Sequence, residues 1–356
     1  MDMSSLRHLA LAGACTLGLA GPAAAAGANA YAVQNLVSDG SVAAANTDAH
    51  LKNSWGVAFN PFGFVWLTNN HDGTSTLYDG NGVPQSLVVS VPAADGVSMG
   101  SPTGIVYNGS ADFIVSNGSL SGSSRFIFAS EDGMISGWAP TVDGTHALRA
   151  VVTPGAIYKG IAIAGNGAGN LLYATDFHNA RIDVFDRAFA PVATAGRFTD
   201  PALPPRFAPF GIQNINGNLY VTYAKRDAEG EDDVTGKGLG FVNVFDADGR
   251  LLRRVAAVKG LNAPWGIALA PANFGAFSNR LLIANFGDGT ISAFDLQSGE
   301  FVGRLRTADG RALKIPGLWG MQFGNGLLSQ PSNTLFFAAG PNDETGGVYG
   351  SVSVDK

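Results

Sequence analysis

The sequence predicts an all-β fold, a six-bladed β-propeller with four-stranded antiparallel blades, and three observations carry that expectation. A short glycine-centred strand recurs six times, its glycines at positions 56, 104, 160, 211, 266 and 320, with successive intervals of 48, 56, 51, 55 and 54 residues. Periods of this length are the signature of repeat architectures. After residue 30 no useful stretch has helical periodicity, whereas each glycine strand is followed by a run rich in β-branched and aromatic residues. The 356 residues include 48 Gly and only 14% charged residues. Blades whose two faces are covered by neighbours have that composition.

Unit one opens with Ser54-Trp55-Gly56-Val57-Ala58 and continues in Val65-Trp66-Leu67-Thr68 and a third strand ending at Tyr78-Asp79. Unit two opens with Pro102-Thr103-Gly104-Ile105-Val106, and Phe113-Ile114-Val115-Ser116 reads as its second strand. Unit three runs through Tyr158-Lys159-Gly160-Ile161-Ala162 and Leu172-Tyr173-Ala174-Thr175 to Phe185-Asp186. Unit four has Pro209-Phe210-Gly211-Ile212, Leu219-Tyr220-Val221-Thr222, Phe245-Asp246 and an edge strand at Leu251-Leu252-Arg253-Arg254-Val255. Unit five has Pro264-Trp265-Gly266-Ile267-Ala268, Leu281-Leu282-Ile283-Ala284 and Phe294-Asp295. Unit six has Leu318-Trp319-Gly320-Met321 and Leu335-Phe336-Phe337-Ala338, then runs out. The stretch from Tyr31 to Val37 has no partner of its own, so it is expected to complete the sixth blade. A glycine on each inner strand lets backbones approach where a Cβ would clash. The continuous repeat makes residues 31–356 one domain.

Residues 1–30 stand apart from the repeat. Arg7 and His8 precede an apolar stretch from Leu9 to Ala20 and then small residues, the layout of a secretory leader, with cleavage expected after Ala26 or Ala30. The expectation is a secreted or periplasmic protein. The single cysteine, Cys15, falls inside this leader, so no disulfide framework, Cys-based zinc site or redox motif is expected. A formal net charge of -6, with Arg253-Arg254 the longest basic run, speaks against a nucleic-acid groove. No second long apolar segment suggests a membrane span.

The repeat register points to one mouth of the central channel. Immediately before the six glycines stand Trp55, Thr103, Lys159, Phe210, Trp265 and Trp319, which form either an interblade core or an aromatic ligand mouth. Lys159 among aromatics needs a carboxylate or an anionic ligand, and Asp176 is its expected partner. At the second-strand ends stand Asn69, Asn117, Asp176, Tyr223, Asn285 and Ala339. Asn69, Asn117, Asp176 and Asn285 either make local turns or converge on a hard cation such as calcium. His71 and His178 follow the second strands of units one and three, as surface groups or as acid and base. The acidic loop from Asp227 to Asp233 is either a solvated flap or a cation site, and a similar loop from Pro341 to Gly346 closes unit six.

The motifs Asn53-Ser-Trp-Gly56, Tyr158-Lys-Gly160, Phe207-Ala-Pro-Phe210, Ala263-Pro-Trp-Gly266, Asn285-Phe-Gly-Asp-Gly289, Leu318-Trp-Gly320 and Ala339-Gly-Pro-Asn-Asp-Glu344 resemble an uncharacterised family of exported bacterial conserved hypothetical proteins with NHL-like six-bladed β-propellers. The resemblance covers nearly the whole chain after the leader and implies the fold and export. The layout is more distantly similar to calcium-dependent gluconolactonase and senescence-marker propellers, but their Glu early in blade one has no counterpart before Trp55. The expected function is binding of a small molecule or a protein at the mouth by a monomer, using Trp55, Lys159, Phe210, Tyr223, Trp265 and Trp319. The alternative is a metal-dependent hydrolase or lactonase with an axial calcium.

Overall fold

A computed structural model describes residues 30–257 and 259–355. The expected leader and Cys15 lie outside the described residues. Six antiparallel sheets surround one axis in a β-propeller, and the only helical element among the described residues is a 3-10 turn at Gly275–Phe277.

Blade one consists of Ser54–Phe59, Val65–Asn69, Thr74–Tyr78 and Pro84–Ser90, from the axis outward. Blades four and five repeat that order with Phe207–Ile215, Asn218–Arg226, Phe241–Phe245 and Leu251–Ala257, then Pro264–Leu269, Leu281–Asn285, Ile291–Phe294 and Phe301–Arg304. Blade three has three full strands, Tyr158–Gly165, Asn170–Asp176 and Arg181–Phe185. Its outer position is reduced to a bridge between Phe185 and Pro191, where proline removes a ladder donor.

Blade two corrects the expected register. Its second strand is Phe126–Ser130, paired with the inner strand Pro102–Tyr107, followed by Met134–Trp138 and Leu148–Val152. The segment taken for the second strand instead forms an inserted hairpin of Ile114–Asn117 with Leu120–Ser123, a separate two-stranded sheet. The turn residue Gly118, at φ 59°, explains why: it reverses the chain immediately after Asn117.

Ring closure follows the sequence expectation. Tyr31–Ser38 lies antiparallel to Val348–Val354, with Tyr31 opposite Val354 and Val37 opposite Tyr349, and supplies the fourth strand of blade six outside Leu318–Phe323 and Leu335–Ala339. Tyr31 is buried, and its hydroxyl donates to the Phe274 carbonyl at 2.9 Å. The clasp thereby also locks blade six onto blade five.

The inner-strand glycines do what their periodicity implied. A Cβ on Gly56 would lie 2.7 Å from the Thr103 carbonyl oxygen, on Gly211 2.0 Å from that of Trp265, on Gly266 2.5 Å from that of Trp319, and on Gly320 2.3 Å from that of Trp55. Each glycine therefore seats the next blade, and Gly320 closes the circle onto blade one. At each of these glycines the inner strand bulges against its neighbour. A threonine hydroxyl fills the bulge in three blades. Thr68 accepts from the Gly56 amide (2.7 Å) and donates to the Thr103 carbonyl (2.6 Å). Thr175 does the same between Gly160 and Phe210 (2.7 and 2.8 Å), and Thr222 between Gly211 and Trp265. Hydrophobic clusters fill the wedges between neighbouring blades. Among the described residues no helix is long and apolar enough to cross a membrane.

Candidate functional site

The starts of the inner strands converge on the axis at one face, and their aromatic residues form a plug. Trp55 and Trp319 stack at 3.5 Å between centroids and 16° between planes, while Trp265 meets both edge-on at 6.0 and 5.9 Å. Phe210 packs edge-on against Trp319 at 5.8 Å, and Phe286 stacks on its ring at 3.9 Å. All four inner-strand rings are buried. Large aromatics at a repeated position thus satisfy one another across the axis. Two of their polar atoms are not satisfied: the indole N–H groups of Trp55 and Trp265 are buried without a hydrogen-bond partner, whereas that of Trp319 donates to Asn53 Oδ1 at 3.3 Å.

Lys159 sits in this plug, only 2% exposed, with its ammonium 5.1 Å from the Trp55 ring centroid and 6.0 Å from that of Phe177. Its partner is not Asp176. The Lys159 Nζ donates to Glu131 Oε1 at 2.5 Å, and Asn70 Nδ2 holds the other carboxylate oxygen at 2.9 Å. Asp176 is occupied within its own blade. It accepts from the Asn179 amide N–H and side chain and lies 3.3 Å from Arg181 Nη2.

The expected oxygen ring is displaced by one residue. Asn69 and Asn285 are buried, paired opposite Ser54 and Pro264. Asn285 Nδ2 donates to Gly260, Thr290 and Ser292, and its Oδ1 accepts from the Asn262 amide. Asn69 Nδ2 donates to Thr74 and Thr76, leaving its Oδ1 buried without a partner. Both tie their own turns, the local-turn alternative. Asn117 is exposed on the inserted hairpin, and Ser130 takes its place in blade two. Tyr223 is likewise not at the mouth: it is buried in the wedge between blades three and four with Ala162 and Tyr173. Side chains alternate along a strand. The residue after each second-strand end therefore faces the axis: Asn70 and Glu131 join the Lys159 pair, while Phe177, Ala224 and Phe286 pack on the plug.

Two loops complete the mouth. Glu344 arrives from the blade-six loop, where Asn342, Asp343 and Glu344 have φ of 58°, 52° and 64°. Three successive non-glycine residues in the left-handed region cost roughly 1–2 kcal/mol each, and strain of this kind gathers at functional sites. Asn53 Nδ2 donates to Glu344 Oε2 at 2.8 Å and lies 3.3 Å from His71 Nε2. Asp233 arrives from the blade-four acidic loop, whose short strand Asp233–Val234 pairs with Lys225 and Arg226. Asp227 closes that loop by accepting the amides of Gly230 and Glu231 at 2.6 and 3.0 Å. His178 lies against Gly230 of the same loop, with its Nδ1 buried and unpartnered.

The carboxylates at this mouth are pushed in opposite directions. Burial raises Glu131, yet the Lys159 ammonium, Asn70 and His71 together hold it below the ordinary glutamate value. Burial pushes Asp233 up to about 7 against the pull of Lys159, with the negative charges of Glu344 and Asp232 adding to the rise; its Oδ2 has no partner. Burial also raises Glu344, helped by Glu131 and opposed by Asn53, Lys159 and His71. One ammonium therefore answers three carboxylates. Among the described residues no group of three or more His, Cys, Asp or Glu is arranged to hold a metal ion.

No family model matches the chain. The fold is similar to that of the PQQ-bound aldose sugar dehydrogenase of Streptomyces coelicolor (14% identity, TM-score 0.54, 91% of this chain and 98% of that one). It is also similar to the apo soluble aldose sugar dehydrogenase of Escherichia coli (13% identity, TM-score 0.53, 91% and 99%). At such identities the likeness is one of fold alone. In sequence the chain is 33% identical over 338 residues to the uncharacterized protein R648 of Acanthamoeba polyphaga mimivirus, covering 92% of this chain and 81% of that one. It is 31% identical over 335 residues to the uncharacterized protein L690 of the same virus, covering 92% and 86%. With this identity over nearly its whole length, the chain belongs to the protein family of these two mimiviral proteins.

Proposed function

We propose that the protein is an exported binding protein whose ligand is a small polar molecule seated at the mouth above the tryptophan plug. The observation that carries this reading is the excess of unsatisfied polar groups there: Asp233 Oδ2 and the indole N–H groups of Trp55 and Trp265 are buried without partners. Such groups cost about 1–3 kcal/mol each until something pairs with them. A guest that donates to Asp233 and Glu344 and accepts from an indole removes that cost. The carboxylate excess favours hydroxylated or ammonium-bearing molecules over anions. Export rests on the leader pattern from Arg7 to Ala30, and N-terminal sequencing of the mature protein should begin at Gly27 or Tyr31.

Melting temperature and tryptophan fluorescence, measured against polyols, monosaccharides, primary amines and dicarboxylates at millimolar concentration, test the binding reading. A shift with a hydroxylated or amine probe, lost in Asp233→Asn, is the expected result. Preference for dicarboxylates, or no response to any class, would overturn it. Among the described residues the carboxylates at the mouth form no group arranged to hold a metal ion, so no response to calcium is expected. A calcium-induced rise in melting temperature, absent in Asp233→Asn, would move the reading to a metal-dependent hydrolase or lactonase.

A further inference from the structure

We propose that the outer edge of blade five carries a second binding site, for a multivalent oxyanion bearing phosphate or sulfate groups. A pocket there gathers Lys237, Lys259, Arg304 and Arg306 around the rings of Phe277 and Phe301. Lys237 belongs to a blade-four loop, Lys259 to the linker into blade five, and the two arginines to the end of the outer strand of blade five and the residues just beyond it. Because side chains alternate along an extended chain, Arg304 and Arg306 share one side while Leu305 between them is buried. Four cations thus meet in a chain of net charge -6, an accumulation that the sequence, with no long basic run, conceals.

Among the described residues nothing neutralises this pocket fully. Among the described residues neither Lys237 nor Lys259 makes an ion pair, and Arg304 reaches only Asp288, at 3.9 Å. The Arg304 Nε is buried with no hydrogen-bond partner. Arg306 gives one N–H to the Gly310 carbonyl at 2.7 Å and keeps the rest of its fork. Guanidinium forks match the paired oxygens of phosphate and sulfate, while lysines add point charge. Phe301, with the Lys259 ammonium 5.7 Å from its centroid, and Phe277 provide an apolar floor for the organic body that carries the anions. The site is separate from the axial mouth in its residues and opposite to it in charge, so it stands or falls independently.

Isothermal titration of the full chain with inorganic pyrophosphate, and in parallel with sucrose octasulfate, tests the assignment. Saturable one-to-one binding of either probe is expected, and Lys237→Ala/Lys259→Ala should weaken it by about tenfold or more. A charge-matched control on blades two and three, Arg149→Ala/Arg187→Ala, should change it less than about twofold. Pyrophosphate alone binding identifies a phosphate ligand, the octasulfate alone a sulfate ligand, and both the shared chemistry. No saturation with either probe, or an equal loss in the control, overturns the proposal. Both double variants alter exposed side chains and should melt with the parent.

Discussion

Two rings of residues lie one position apart at the same mouth, and they behave differently. At the second-strand ends Asn69, Asp176 and Asn285 are buried and spend their side chains on their own turns. One residue further, Glu131 takes the Lys159 ammonium and Asn70 donates to its other oxygen, and the loops bring Glu344 and Asp233 beside them. In blades one, three and five the first ring keeps an Asn or Asp because those blades tie their turns the same way, while Ser130, Tyr223 and Ala339 stand at this position in the others. The second varies, as Asn70, Glu131, Phe177, Ala224, Phe286 and Gly340, because only some blades contribute polar groups to the axis. In this propeller repetition marks scaffold, and departure from repetition marks the candidate site.

The scaffold side of that contrast predicts the largest effects. Deleting residues 31–38 removes the closing strand and exposes the space filled by Tyr31, Leu36 and Val37, all buried. At about 2 kcal/mol per large buried side chain the loss is about 6 kcal/mol before any ladder hydrogen bond is counted. Thermal unfolding should show a collapse of the melting temperature; an unchanged one would remove the clasp from the account of stability. Gly320→Ala comes next. Its Cβ would stand 2.3 Å from the Trp55 carbonyl oxygen, so blades six and one must separate at a cost of about 3 kcal/mol.

The same contrast explains what the sequence disclosed. Blade number, the glycine contacts and the closing strand were legible because they recur or, for Tyr31 to Val37, because one strand lacked a partner. Blade two was misread since Ile114-Val115-Ser116 has as much strand character as Phe126-Ile127-Phe128, and only one of them pairs with the inner strand. A better marker was present: Asp72-Gly73, Asp132-Gly133 and Asp288-Gly289 all follow true second strands, with the glycines at φ 68°, 75° and 68°. Aligning on that turn exposes the insertion and brings Glu131, rather than Asn117, to the axial end of blade two, where the turn is one residue shorter than in blades one and five. The Lys159–Glu131 pair joins two blades, and the Asn53–Glu344 contact joins residues 291 positions apart. Neither leaves a local pattern. The basic pocket of blade five is hidden for the same reason.

The site side of the contrast has a signature in pH. Folded Asp233 titrates near 7, whereas in the unfolded chain it returns to the ordinary aspartate range near 4. Between those values the folded state holds the extra proton, so the stability this one carboxyl contributes is complete below about pH 4 and is lost as the pH rises through about 7. The full displacement corresponds to about 4 kcal/mol, and partial solvent access reduces the expected loss to about 2 kcal/mol. Asp233→Asn should remove this fall. Urea unfolding of both proteins at about pH 5 and pH 8 isolates it, because groups such as Glu131 that act in the opposite direction are common to both. Equal differences at the two pH values would mean that Asp233 is solvated and that the loop does not bring it to the axis.

The smallest effects fall on the two asparagines that the sequence treats alike. Asn285 makes four hydrogen bonds inside blade five, three through Nδ2 to Gly260, Thr290 and Ser292 and one through Oδ1 from the Asn262 amide. Truncating it to alanine strands those partners in a buried turn, at a cost of about 1.5 kcal/mol. Asn117, on the exposed hairpin, has no such role, and Asn117→Ala should stay within about 0.5 kcal/mol. Chemical denaturation resolves the difference. Equal losses in the two variants would place Asn117 in a buried turn after all and restore the register read from the sequence. A loss confined to Asn285, with probe binding at the mouth unchanged, would establish that this ring serves the turns alone and that any ligand contacts lie one residue further along the chain.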